Sequence, residues 1–162
     1  MLKKLFMLIV AGFFLASCAA TKTEQGGDVD AASSSSSSGG EITAGTQEDL
    51  IVNVGDRVFF EFDSSELTVD AQATLDAQAA WLMQYPDTNI TVEGHADERG
   101  TREYNLALGD KRAFSVYSYL AQAGIDTNRM EYVSWGKERP EVIGSEETAY
   151  SQNRRGVTIV SN

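Results

Sequence analysis

The chain has one cysteine, one histidine and two prolines in 162 residues, and far fewer basic than acidic side chains. A lone cysteine excludes an internal disulfide, so any folded part must stand on its own core. A lone histidine argues against a catalytic zinc centre, which takes three protein ligands and often two histidines. The acidic excess gives a formal net charge of −11. That balance disfavours duplex nucleic acid, whose binding rests on Lys and Arg against phosphate. It equally disfavours flat adsorption onto anionic lipid. Long apolar runs are missing too: Leu5 to Leu15, broken only by Gly12, is too short for the ~30 Å hydrocarbon core of a bilayer.

That run follows Lys3 and Lys4 and precedes small residues, the layout of a secretory leader over residues 1–17. It closes on Leu15-Ala16-Ser17-Cys18, which resembles the bacterial lipobox. The resemblance implies cleavage before Cys18, a thioether lipid on its sulfur and acylation of the new amino terminus. Three acyl chains exceed the two signals that stable anchoring requires. Ala19 rather than Asp follows the cysteine. By similarity to bacterial lipoproteins, this implies delivery to the outer membrane, with the rest of the chain facing the periplasm of a Gram-negative cell. Loss of Lys3 and Lys4 with the leader takes the net charge from −11 to −13.

Residues 18–51 comprise Cys18 and a stretch without apolar periodicity, including Gly26-Gly27, Ser33 to Ser38 and Gly39-Gly40. This composition predicts a flexible tether with a root-mean-square span near ~30 Å and a taut limit near ~110 Å. Residues 52–162 are enough for one domain with its own core. Val58, Phe60 and Phe62 alternate with Phe59 and Glu61, which predicts a strand over 57–62. Thr68 caps a helix in which Ala71, Leu75, Ala79 and Leu82 share a face, and Pro86 stops it. Ile90 and Val92 mark a second strand. Thr101 caps a second helix with Leu106, Ala113, Val116, Tyr117 and Leu120 on its apolar stripe, and Gly124 ends it. Strands follow over 130–135 and 157–160, with a short helical turn around Glu147 to Arg154.

The order β-α-β-α-β-β, with amphipathic helices and half-wet strands, predicts an α+β fold of two layers with both helices on one face. Right-handed crossovers place the loops Asp63 to Leu67 and His95 to Arg102 on one rim. The second loop carries His95, Asp97, Glu98 and Arg99 between glycines, and the helix after it carries Asn105, Lys111 and Arg112. A polar loop between strand and helix is where a fold usually places a binding site. A hydrolase would need two separated carboxylates, whereas Asp97 and Glu98 are sequence neighbours. A serine triad has no nucleophile elbow here. Catalysis is therefore not expected, nor a metal or cofactor.

Residues 58–160 resemble the OmpA C-terminal-like domain family. The carrying segments are VFFEFDSSEL, VEGHADERGTREYNLALGDKRA, WGKERP at 135–140 and NRR at 153–155. Arg102 stands where the family often has Pro, and Trp135 where it often has Tyr. The resemblance implies a two-layer sandwich on a mixed four-stranded sheet, and non-covalent peptidoglycan binding through stem-peptide diaminopimelate. The family's binding aspartate and arginine fall on Asp97 and Arg112. A carboxylate suits the ligand's ammonium, and a guanidinium suits its carboxylate. Asn105 can donate or accept, and Phe62 and Asp63 line the other side. Lipoproteins of this family also dock a TolB-like periplasmic propeller within the Tol envelope system, which implies roles in envelope integrity and cell division.

The other readings are bland. Asp97 and Arg112 would pair with each other to pin the loop on the helix. Arg99, Arg102, Lys111 and Arg155 would be solvated charges, and Arg154 a structural residue packed near the site. Trp81 and Trp135 would be packing, and His95 would brace the loop at a strand end. The alternative function is a periplasmic protein-docking module without direct wall binding.

Overall fold

The computed structural model describes residues 42–161. The leader, the Cys18 lipidation site and most of the expected tether lie outside the described residues. Helix α1, Gln47–Asn53, comes first. The sequence predicts tether through residue 51 and a domain from 52, and here the structure carries the fold further back. Thr46 caps α1 by accepting from the Asp49 amide at 3.4 Å, and Leu50 is fully buried in the core. The Asp49 carboxylate accepts from the Gly45 amide at 2.8 Å, from Asn53 at 2.7 Å and from the Trp81 indole at 2.9 Å. The Gln47 side-chain amide donates to the Thr158 carbonyl at 3.3 Å and accepts from the Val160 amide at 2.6 Å, as a peptide group would. Only one apolar side chain of α1 reaches the core, while Ile51 and Val52 are exposed, so periodicity does not reveal the helix.

The remaining α-helices and strands are β1 (Arg57–Phe59), α2 (Val69–Gln84), β2 (Ile90–His95), α3 (Arg102–Gln122), β3 (Met130–Gly136), α4 (Glu147–Asn153) and β4 (Arg155–Val160), with one 3-10 turn, Thr127–Arg129, before β3. The expected order thus gains α1 in front, and the expected turn before the last strand is α4. The caps sit where the sequence puts them. Thr68 accepts from the Ala71 amide, Thr101 from the Tyr104 amide, and Gly124 follows α3 at φ 102°. Strand β1 is shorter than the expected 57–62, because its partner β4 begins at Arg155. The Phe60 amide still bonds the Arg154 carbonyl at 2.9 Å, after which the chain turns outward through Asp63 at φ 54°. Phe60 is buried, and Phe62 has left the core.

The sheet runs β1-β4-β2-β3. β4 is antiparallel to β1 and to β2, while β2 and β3 are parallel, so the sheet is mixed and four-stranded. Val58, Gly156 and Gly94 lie opposite one another across β1, β4 and β2 and share a face. A side chain on Gly94 would collide with the Gly109 carbonyl of α3, and one on Gly156 would press on Val116 of α3. Thr158, two residues along the same face, donates to Gln78 of α2 at 2.8 Å. Both long helices therefore pack on one side, and Leu75, Leu82, Val92, Val116 and Leu120 fill the layer between.

The other side of the sheet is charged. Glu141 lies 3.0 Å from Arg57 and 3.4 Å from Arg155, and Arg139 lies 3.7 Å from Glu93. Arg155, expected to be solvated, is buried there, because β4 places it across from Phe59 beneath the 137–145 segment.

Leu50→Ala is expected to cost about 2–5 kcal/mol of stability, read as a lower urea midpoint. A chain begun at residue 52 should unfold at lower denaturant than one begun at residue 42. Equal midpoints would remove α1 from the folding unit.

Candidate functional site

Three segments meet at one end of the helical layer. They are the loop after β1, the loop joining β2 to α3, and the first turns of α3, with α4 alongside. The β2–α3 loop is shaped by Asp97, whose carboxylate accepts from the Arg99 amide two residues on at 3.1 Å, an Asx turn. Gly100 follows at φ 91°, a conformation that favours glycine. Asn105 in the first turn of α3 donates to the Arg99 carbonyl at 2.8 Å, and Lys137 ties down the Glu98 and Gly100 carbonyls at 3.1 and 2.7 Å.

Arg112 is completely buried in α3. Its Nε donates to the Ser64 carbonyl at 2.8 Å, one Nη to the His95 carbonyl at 2.8 Å and the other to the Glu61 carbonyl at 3.1 Å. It does not pair directly with Asp97, as one reading of the sequence has it. Three of its N–H groups are engaged, and a guanidinium carries five. Burial pulls its pKa down to about 10, although Asp97 and Asp63 act to raise it.

Asp97 pairs instead with Arg99, whose Nη lies 2.6 Å from one carboxylate oxygen and whose Nε lies 3.1 Å from the other. Arg154, also buried, stands 3.5 Å from Asp97, donates to the Phe60 carbonyl at 3.0 Å and reaches Glu147 at 2.7 Å. Arg99 is no solvated charge. Its guanidinium carbon lies 4.2 Å from the centroids of both Phe62 and Tyr150, and Glu147 is 3.6 Å from its other Nη. Burial acts to raise the Asp97 pKa, and the hydrogen bonds and charge of Arg99, with the charge of Arg154, outweigh it. The carboxyl therefore sits below its ordinary 3.8.

Between these groups lies a cavity of about 190 Å³. Phe62, Asp63, Asp97, Asn105 and Arg112, the five residues singled out from the sequence, all line it, and so does Arg99. Tyr104, which sequence reasoning passes over, adds a phenol that donates to the Asp63 carboxylate and so joins α3 to the β1 loop. Leu108, four residues on, extends the same helix face into the cavity. The walls thus offer two carboxylates, partly engaged guanidinium groups and apolar surface, a set suited to a zwitterion on a carbon stem. His95 is buried but does not line the cavity, and Glu93 is its near neighbour at 3.4 Å. No group of three or more side chains suited to a metal occurs among the described residues.

The family model described as the OmpA family matches residues 59–154. The chain belongs to the OmpA family. Among curated OmpA-family proteins, the peptidoglycan-associated lipoprotein of Brucella melitensis is 49% identical over 91% of this chain and 85% of its own length. That of Rhizobium meliloti is also 49% identical, over 94% and 84%. The crystal structure of the peptidoglycan-associated lipoprotein from Burkholderia pseudomallei superposes with a TM-score of 0.64 at 42% identity, covering 65% of this chain and 90% of that one. The C-terminal domain of Helicobacter pylori MotB shares the OmpA-like fold at 23% identity, with a TM-score of 0.61 over 66% and 84%.

Two acid transitions follow from these environments. Burial, then the Arg155 charge, lowers the His95 pKa from 6.5 to about 4. Its contribution to stability is therefore present above pH 6.5 and is lost between there and about pH 4. The lowered Asp97 carboxyl contributes above its ordinary 3.8 and is lost as the pH falls through its folded value. Urea midpoints should fall in two stages on acidification. His95→Gln should flatten only the first stage, and Asp97→Asn should shrink the second, to which the lowered Asp49 and Glu98 carboxyls also contribute.

Proposed function

We propose that this chain is an outer-membrane lipoprotein that binds peptidoglycan non-covalently and so ties the membrane to the wall. The observation that carries this reading is the cavity that sets the Asp97 carboxylate against the Arg112 guanidinium at the rim of a 49%-identical relative of peptidoglycan-associated lipoproteins. The ligand end that fits is the free terminus of diaminopimelate, an ammonium and a carboxylate on one carbon. Asp97 takes the ammonium, and the two N–H groups that Arg112 has left take the carboxylate. Asn105 supplies a further polar contact. Phe62 and Leu108 cover the methylene stem, and Asp63, held by Tyr104, closes the far side.

Cleavage before Cys18 and lipidation of its sulfur supply the anchor, and the serine- and glycine-rich stretch ahead of α1 supplies the reach. A single stem-peptide contact is weak, but many anchored copies hold the two layers collectively when the tether spans the gap. A TolB-like propeller of the Tol–Pal system, with its links to envelope integrity and division, is the protein partner that the family relationship supports. Its docking on the same rim would exclude wall binding and make the tether switchable.

The test is co-sedimentation of the purified full chain with isolated peptidoglycan. Wild type should pellet. Asp97→Ala should weaken binding about tenfold or more, the scale of a lost hydrogen bond to a charged group. Arg112→Lys, chosen because Arg112→Leu would strand three buried carbonyls, should do likewise while remaining folded. A wild type that stays in the supernatant would leave protein docking as the surviving function.

A further inference from the structure

Arg99 already occupies the carboxylate that the proposed ligand needs. Its guanidinium carbon lies in a slot 4.2 Å from the ring centroids of both Phe62 and Tyr150, each of which attracts the cation. Two carboxylates lie at the edges of that slot. Asp97 is held by two close bonds, at 2.6 and 3.1 Å, and Glu147 waits at 3.6 Å. Glu147 is anchored in turn by Arg154 at 2.7 Å, and Arg154 stands 3.5 Å from Asp97. The four groups form a closed ring of two anions and two cations. An incoming ammonium at Asp97 would place a third cation against Arg99 unless Arg99 moves. A slide of about 1 Å along the slot brings Glu147 within hydrogen-bonding distance and keeps both rings on the guanidinium.

We propose that Arg99 is an internal competitor for the ligand's ammonium, which caps Asp97 in the empty site and passes to Glu147 when an amino group binds. This rests on the assignment of Asp97 as the ammonium acceptor. Specificity follows from the exchange. A simple amine gains at Asp97 only what Arg99 gives up, so it binds poorly. An amino-acid end gains the same contact and also the carboxylate contact at Arg112, so it alone comes out ahead. Arg99 is a selectivity residue on this account: it makes the site refuse half a zwitterion.

The experiment titrates the full chain with meso-diaminopimelate and with 1,5-diaminopentane by calorimetry, for wild type, Arg99→Gln, Glu147→Gln and the double variant, each checked for folding. Arg99→Gln should bind meso-diaminopimelate about five- to tenfold tighter, the scale of one half-exposed bidentate ion pair. It should also gain measurable binding of the diamine, which a merely structural role would not produce. Arg99→Lys, which keeps the loop's charge without the bidentate cap, should move the same way by less. Glu147→Gln should weaken binding severalfold in the wild-type background and have no effect once Arg99 is gone, the signature of coupled residues.

Weaker binding by folded Arg99→Gln, or an undiminished Glu147→Gln effect in its presence, would overturn the proposal while leaving wall binding intact. If neither wild type nor Arg99→Gln binds meso-diaminopimelate or sediments with peptidoglycan, the wall-binding reading and this inference fall together.

Discussion

The buried guanidinium of Arg112 is the constraint on which the site depends. A cation without access to water is costly unless its donors are satisfied. Arg112 spends three of them on the carbonyls of Glu61 and Ser64, in the loop after β1, and of His95, at the end of β2. It thereby ties the loop after β1 to the strand end from which the β2–α3 loop departs. The charge can sit so deep because α3 lies directly on the backbone of β2, at Gly94 against Gly109. The tight backbone contact sets the depth of the helix, the depth sets where Arg112 ends, and Arg112 draws the two loops around one cavity.

Around that fixed point the electrostatics are evenly balanced. Asp97, Glu147, Arg99 and Arg154 compensate one another, although the protein as a whole carries a large negative charge. Such a neutral ring tolerates the burial of Asp97 and Arg154, because each of them has partners of opposite charge where water screens little. It also provides alternatives, since each cation touches both anions. A site built this way can exchange partners without ever leaving a charge alone.

Much of this was legible in the sequence wherever the signal was local. Thr68, Thr101, Pro86 and Gly124 mark helix ends by short-range bonding rules, and alternation marks β2 and the start of β1. The rim shared by the two loops followed from crossover handedness, and the roles proposed for Asp97 and Arg112 came from the family resemblance. What escaped needed partners distant in sequence. Helix α1 is fixed by Asp49 on Trp81 and Gln47 on β4, although Thr46 and Asp49 carry the spacing of a capping pair. Arg99 looks solvated until Phe62 and Tyr150 are brought to either side of it. Arg154 and Arg155 are adjacent, and at the end of a strand adjacency means opposite faces: one arginine joins the cavity's ring, while the other lies in the charged network beneath the sheet.

The Gln47 clamp on β4 takes on a mechanical meaning under the proposal that the chain is anchored at its amino-terminal end. Force applied there would reach the domain first through α1, which is fastened to β4 by two side-chain hydrogen bonds in place of a backbone ladder, and to α2 by the bond from Trp81 to Asp49. Such a fastening peels one bond at a time, whereas a strand ladder shears many at once. Drawn out from helix to extended chain, those seven residues lengthen from about 10 Å to about 24 Å. Under such an anchor the first helix would be a slack reserve that yields under tension, while Arg112, fastened to other segments, would keep the cavity together.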